Sequence, residues 1–145
     1  MSDRSAKLLF LAALVAGGAL FYGFPDLDIR LLGIRNHRYF LFHSAILPLA
    51  AWLWLRRARR PFLAALAVAA AASFALGVGV HLAADTFQSK SVVFPIVGTL
   101  VRGTSLDDRL WEGGNAAICG GLTYVAYRGW RRKRRIGRTT MEETS

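Results

Sequence analysis

The sequence predicts an all-α integral membrane protein, a four-helix bundle with both termini cytoplasmic. Three observations predict it. Hydrophobic residues make up 54% of the 145 positions. Four apolar windows approach the roughly 20 residues that a bilayer span needs. Basic residues collect on alternate sides of those windows, as the orientation rule for membrane helices requires.

The first window is residues 8–24, LLFLAALVAGGALFYGF. It reads as a retained helix, because the apolar stretch runs on through FYGF without the polar region of a cleavable signal. The second, residues 39–55, is interrupted only by His43 and Ser44. The third, residues 62–84, is the clearest, a run of alanine, leucine, valine and phenylalanine. The fourth, residues 106–130, is weaker because its first turn is charged. Together they predict one transmembrane domain over residues 1–135 and a short disordered cytoplasmic tail over 136–145. Between the third and fourth windows, SVVFPIVGTLV (91–101) is too short to span and predicts an interfacial or re-entrant segment.

A cytoplasmic N-terminus places segments 1–7, 56–61 and 128–145 inside, with 13 Lys/Arg and 3 acids. The outer segments, 25–38 and 85–112, hold 6 of each. The net charge of +10 is therefore concentrated on one face. There it anchors topology and touches anionic lipid, which argues against a nucleic-acid partner. Cys119 is the one cysteine, so no internal disulfide forms.

With this topology the unusual polar residues gather at the outer face. Asp26, Asp28 and His37 lie in the first loop, His43 one turn into the second helix, His81 and Asp85 at the end of the third. Ionisable groups at membrane depth are costly and face a bundle interior or a wet cavity. Their spacing suits a metal. His81 and Asp85 share one helix face, and imidazole nitrogen and carboxylate oxygen both bind zinc. In an extended stretch Asp26 and Asp28 point the same way. His37 and His43 converge only if His37 precedes the helix proper, because six residues on one helix leave them about 120° apart. Counted from a hairpin at Arg60–Pro61, His81 stands about 5 Å higher than His43, a gap that opposed side-chain tilts narrow. Asp107 and Asp108 read as first-turn acids of the last helix and stay outside the site. Asn115, Gly120 and Gly121 read as packing or hydrogen-bonding residues.

PDLD (25–28), HRYFLFHS (37–44) and HLAAD (81–85) together resemble a family of small bacterial inner-membrane proteins, the membrane-bound metal-dependent hydrolases. Its pattern is Pro-Asp-x-Asp, a His-Arg…Thr-His-Ser stretch opening a helix, and His-x-x-x-Asp closing the next. LWEGGNAAICGGL (110–122) is similar to the family's Trp-containing stretch ending in Asn. The resemblance covers residues 25–122. Phe42 departs from it, standing where the family usually has threonine.

The residues and the resemblance together set the expectation. Zinc or a similar divalent ion is held by His43, His81 and Asp85, with His37, Asp26 and Asp28 as further ligands or as ligands of a second metal. Water activated there attacks an ester or phosphoester. Asp26 acts as base, and Arg38 either pairs with a carboxylate or grips a phosphate. The substrate is a lipid or amphiphile, because the site opens at headgroup level. The rival reading is a non-enzymatic membrane scaffold or complex subunit whose His/Asp cluster is structural.

Overall fold

A computed structural model of the chain describes residues 3–33, 38–57, 61–88, 93–94, 98–99 and 105–142. Five helices carry the fold: α1 (Asp3–Phe21), α2 (Leu27–Leu32), α3 (Ile46–Leu55), α4 (Pro61–Asp85) and α5 (Ser105–Glu142). Outside them, Val93–Phe94 (β1) pairs antiparallel with Gly98–Thr99 (β2). The remainder of the expected interfacial segment lies outside the described residues.

α4 is the central element, packed against α1, α3 and α5. It begins at Pro61, whose ring fixes φ for a first helical position and whose missing N–H would be unsatisfied there anyway. Its inward residues are small: Ala72, Ala75 and Val78 are at most 1% exposed. Small residues let neighbouring backbones approach. Gly77 lies against the Gly18 carbonyl and Phe21 of α1. A Cβ placed on Gly79 would stand 2.8 Å from Cys119 Cβ of α5, closer than packed methyl groups tolerate. Two apolar clusters result. One joins Ala45, Ala75, Val78, Leu82 and Cys119; the other joins Leu14, Ala72 and Ala126. At the far end Phe10 of α1 stacks on Trp130 of α5, ring centroids 4.4 Å apart.

Four features differ from the sequence expectation. The helix expected over 39–55 begins only at Ile46. Pro48 explains this: it has no N–H to donate, and its ring clashes with a helical carbonyl four residues back, so it belongs in a first turn. The first loop contains the unexpected short helix α2. The last helix continues to Glu142, through the stretch expected as a disordered tail. No proline interrupts it, and its Arg/Lys run favours helix. Finally, among the described residues one helix segment, Leu66–Asp85, is long and apolar enough to cross a membrane, where four spans were expected. Lys7–Phe21 and Ile46–Leu55 are apolar but shorter.

Candidate metal centre

The late start of α3 creates the site. Residues 38–45 form turns and bends instead of helix, yet His43, Ser44 and Ala45 are buried. Buried backbone groups outside a helix need partners, and α5 supplies them. The Trp111 indole N–H donates to the His43 carbonyl (2.7 Å), and the Ala45 N–H donates to Asn115 Oδ1 (2.8 Å). The Asn115 amide is itself held by donating to the Trp111 carbonyl (2.7 Å). The Ser44 hydroxyl donates to the Leu41 carbonyl and accepts from the Ile46 N–H, closing the bend. Asn115→Ala should therefore cost about 1–3 kcal/mol, the penalty for a stranded buried donor. A lowered thermal midpoint would show it; an unchanged one would mean that Ala45 finds another partner.

Released from helical register, His43 turns toward the end of α4. Its ring lies edge-on to that of His81, centroids 5.7 Å apart. His43 Nε2 stands 3.5 Å from Asp85 Oδ2, and His81 Nε2 stands 3.3 Å from the same oxygen. His81 Nε2 is also 3.7 Å from Asp26 Oδ1. One ligand atom each from Asp26, His43 and His81 lies within 4.8 Å of the others. These three residues form a group able to hold a metal ion.

Asp26 and Asp28 do not act as a pair. Asp26 sits at the N-terminal cap of α2 without capping it through its side chain. Its carboxylate, 47% exposed, faces His81 instead. Asp28 is inside the helix, where two residues are about 200° of rotation, and so points elsewhere. It is fully buried, accepts the Tyr39 N–H at 2.9 Å and lies 3.3 Å from His43 Nδ1. Expected as a ligand, Asp28 stands outside the group that could hold an ion and fixes the His43 ring from behind. Carboxylates in that position set tautomer and orientation for metal-binding histidines. His37 lies outside the described residues.

Arg38 takes the first of its two expected roles and pairs with carboxylates. It is 1% exposed and holds φ at 67°, a left-handed backbone uncommon outside glycine. Nη1 donates to Glu112 Oε1 at 2.9 Å; Nη2 donates to Gln88 Oε1 at 3.2 Å and lies 3.3 Å from Asp85 Oδ1. Gln88 also donates to Asp85 Oδ1 at 2.9 Å. The guanidinium is spent inside the protein, on groups that hold Asp85 in place. Glu112, fully buried on α5, is the residue that sequence reasoning passed over. Asp107, Asp108 and Arg109 lie within five residues of it, so the local pattern did not set it apart.

The residues fit a divalent ion on two counts. Two ligand atoms on a tetrahedral ion with bonds of about 2.0–2.2 Å are about 3.3–3.6 Å apart. The spacings of 3.3, 3.5 and 3.7 Å around Asp85 Oδ2 and His81 Nε2 fall in or next to that range. Charge points the same way. Among the described residues of the cluster, Asp85 and Glu112 share the Arg38 guanidinium while Asp26 and Asp28 face only imidazoles in their ion pairs, so with neutral imidazoles the cluster would lack positive charge. Burying uncompensated carboxylates is expensive, and a divalent cation at the common point removes most of the excess.

No family model, no curated protein and no solved structure matches the chain.

Proposed function

We propose that this protein is a membrane-embedded metal-dependent hydrolase of esters or phosphoesters, with its centre at the outer face of a bacterial inner membrane. The observation that carries the proposal is the convergence of Asp26, His43 and His81 on one point. The mixed nitrogen and oxygen donor set suits zinc. Asp26, His43 and His81 would hold the ion, with Asp85, whose Oδ2 faces both imidazoles, as a further donor. Such an ion polarises a substrate oxygen and makes water more acidic. Asp26 is the exposed member, so entering water would reach the ion on its side. Asp28 keeps the His43 Nε2 lone pair aimed inward, and Arg38 positions Asp85.

Support for the membrane setting comes from the surface. Leu9, Val15 and Leu20 of α1, Trp54 of α3, Leu66 and Val80 of α4 and Ile118 and Val125 of α5 are each at least 51% exposed. Large apolar side chains face outward on all four long elements, beyond what a soluble monomer shows in a single patch. The non-helical 38–45 segment also obeys the bilayer rule, since irregular backbone at membrane depth must be satisfied by protein. The excess of Lys/Arg on segments 1–7, 56–61 and 128–145 orients the bundle with both termini cytoplasmic.

Elemental analysis of protein extracted from the membrane fraction in detergent, without chelator, tests the reading. The expected result is about one divalent ion per chain, with turnover of a nitrophenyl ester or a phospholipid. Recovery in the soluble fraction would end the membrane placement. Near-zero metal would favour the structural reading, which the Tyr39–Asp28 and Arg38–Glu112 ties between loop and helices support. Stoichiometric metal without turnover would sink the hydrolase alone.

A further inference from the structure

At the level of Trp130 a pocket of about 530 Å³ opens beside α5, within the range that small-molecule sites occupy. Its described lining is Val125, Arg128, Gly129, Arg131 and Arg132. Val125, Arg128, Gly129 and Arg132 follow the spacing of three and four residues that shares one helix face, and Arg131 flanks it. Gly129 stands in the middle of that face. A Cβ placed there would meet nothing within 4 Å, so the floor of the pocket is backbone with open space above it.

Three guanidinium groups border this space, and two of them are steadied by rings. Arg128 lies over Tyr124 and Arg131 over Tyr127, 5.9 and 5.8 Å from the centroids, within reach of a cation–π attraction. Among the described residues no carboxylate pairs with any of the three. Arg38, by contrast, is consumed by Glu112 and Asp85. Three arginines with donors to spare present the forks that match phosphate oxygens. They also repel one another, and an anion between them removes that repulsion.

Position and polarity select the source of the phosphate. Trp130 stacks on Phe10 (4.4 Å), and Tyr127 stands 6.2 Å from Trp130, an aromatic cluster of the kind found at bilayer headgroup level. Val125, 52% exposed, extends the pocket one turn, about 6 Å, toward the apolar body of the helix. Contact there favours an acyl chain over a free anion. A headgroup with its own ammonium would bring that cation among three guanidiniums, with no described carboxylate to receive it.

We infer that Arg128, Arg131 and Arg132 hold the phosphate of one anionic phospholipid of the cytoplasmic leaflet, its acyl chain passing Val125. The inference rests on the membrane placement proposed above and is independent of the metal centre. It differs from the general attraction of a basic face to anionic lipid, which depends on the number of charges and not on their positions.

The test is native mass spectrometry of the protein extracted from the membrane fraction in non-ionic detergent, with dioleoylphosphatidylglycerol titrated in. One bound phosphatidylglycerol per chain is expected at saturation, with dioleoylphosphatidylcholine binding at least about tenfold more weakly. Arg128→Gln with Arg132→Gln should weaken binding by about 30-fold, the loss expected for two arginines at an anionic headgroup. Arg56→Gln with Arg57→Gln removes the same charge from exposed positions on the same side and should leave binding close to wild type. Gly129→Leu keeps every charge and favours the helix, yet fills the pocket from its open floor, and should abolish saturable binding. Equal weakening in the two double variants, unchanged binding in Gly129→Leu, or equal binding of phosphatidylcholine would overturn the inference. Displacement of phosphatidylglycerol by an equal concentration of inorganic phosphate would assign the site to a free anion and overturn the lipid. Recovery of the protein in the soluble fraction would end the membrane placement, whereas membrane-extracted protein that binds no phosphatidylglycerol would overturn this inference alone.

Discussion

His81→Ala should abolish metal retention, with affinity falling by more than about 100-fold, while Asp28→Asn should weaken it by about 10–100-fold. The two residues differ in how they meet the ion. His81 Nε2 is one of the converging donors, 3.3 Å from Asp85 Oδ2 and 3.7 Å from Asp26 Oδ1, and oxygen alone cannot replace a lost nitrogen donor. Asp28 touches only the far side of His43, 3.3 Å from Nδ1. Asparagine there keeps size and still accepts the Tyr39 N–H, but it loses the charge that holds the imidazole in one tautomer. Metal content after gel filtration, followed by titration against a chromophoric chelator, separates the two. If wild type and His81→Ala both carried equal, near-zero metal, the centre would not exist as described. If Asp28→Asn bound as tightly as wild type, Asp28 would be a brace for Tyr39 and nothing more.

How much of this was legible in the sequence depends on which physical constraint governs each part. α4 was legible almost to the residue: an unbroken apolar run with Pro61 ahead of it allows one helix and little else. The partnership of His81 with Asp85 was legible too, because four residues on a helix fix a shared face. The start of α3 was misread although Pro48 announced it. The apolar pattern over 39–55 outweighed a residue that forbids a continuous helix. That misreading produced the apparent depth gap between His43 and His81, which a bend at 38–45 removes. Asp26 and Asp28 were assigned one direction because an extended chain was assumed, whereas α2 sends them to different neighbours. Such a short helix has no periodicity to detect. Glu112 and Asn115 depend on which face of α5 meets the bend, a tertiary fact that the local pattern does not contain. Arg38 stayed open between a carboxylate and a phosphate because its partners lie 47 and 74 residues away in the chain.

The Arg38–Glu112 pair makes the second large prediction, and it separates stability from metal binding. Arg38 is 1% exposed and Glu112 fully buried. Arg38→Met removes one partner of a buried ion pair from the Glu112 carboxylate, which should cost about 3–5 kcal/mol, a large share of the roughly 5–15 kcal/mol that holds a domain folded. Replacing both residues, Arg38→Met with Glu112→Leu, removes the remaining charge and should recover most of that loss, as apolar substitutes for buried pairs do. Metal affinity should not recover with it. Arg38 Nη2 lies 3.3 Å from Asp85 Oδ1, on the carboxylate whose other oxygen faces both imidazoles, so single and double variants alike lose this orientation and should bind about 10–100-fold more weakly. Denaturant titration of the three proteins in one detergent gives the stability difference, and chelator competition gives the affinity. A cost below about 1 kcal/mol for Arg38→Met would place the pair among solvated surface bridges and remove it from the core of the site. Full recovery of both properties in the double variant would mean that Asp85 is held without Arg38, by Gln88 and the α4 backbone alone.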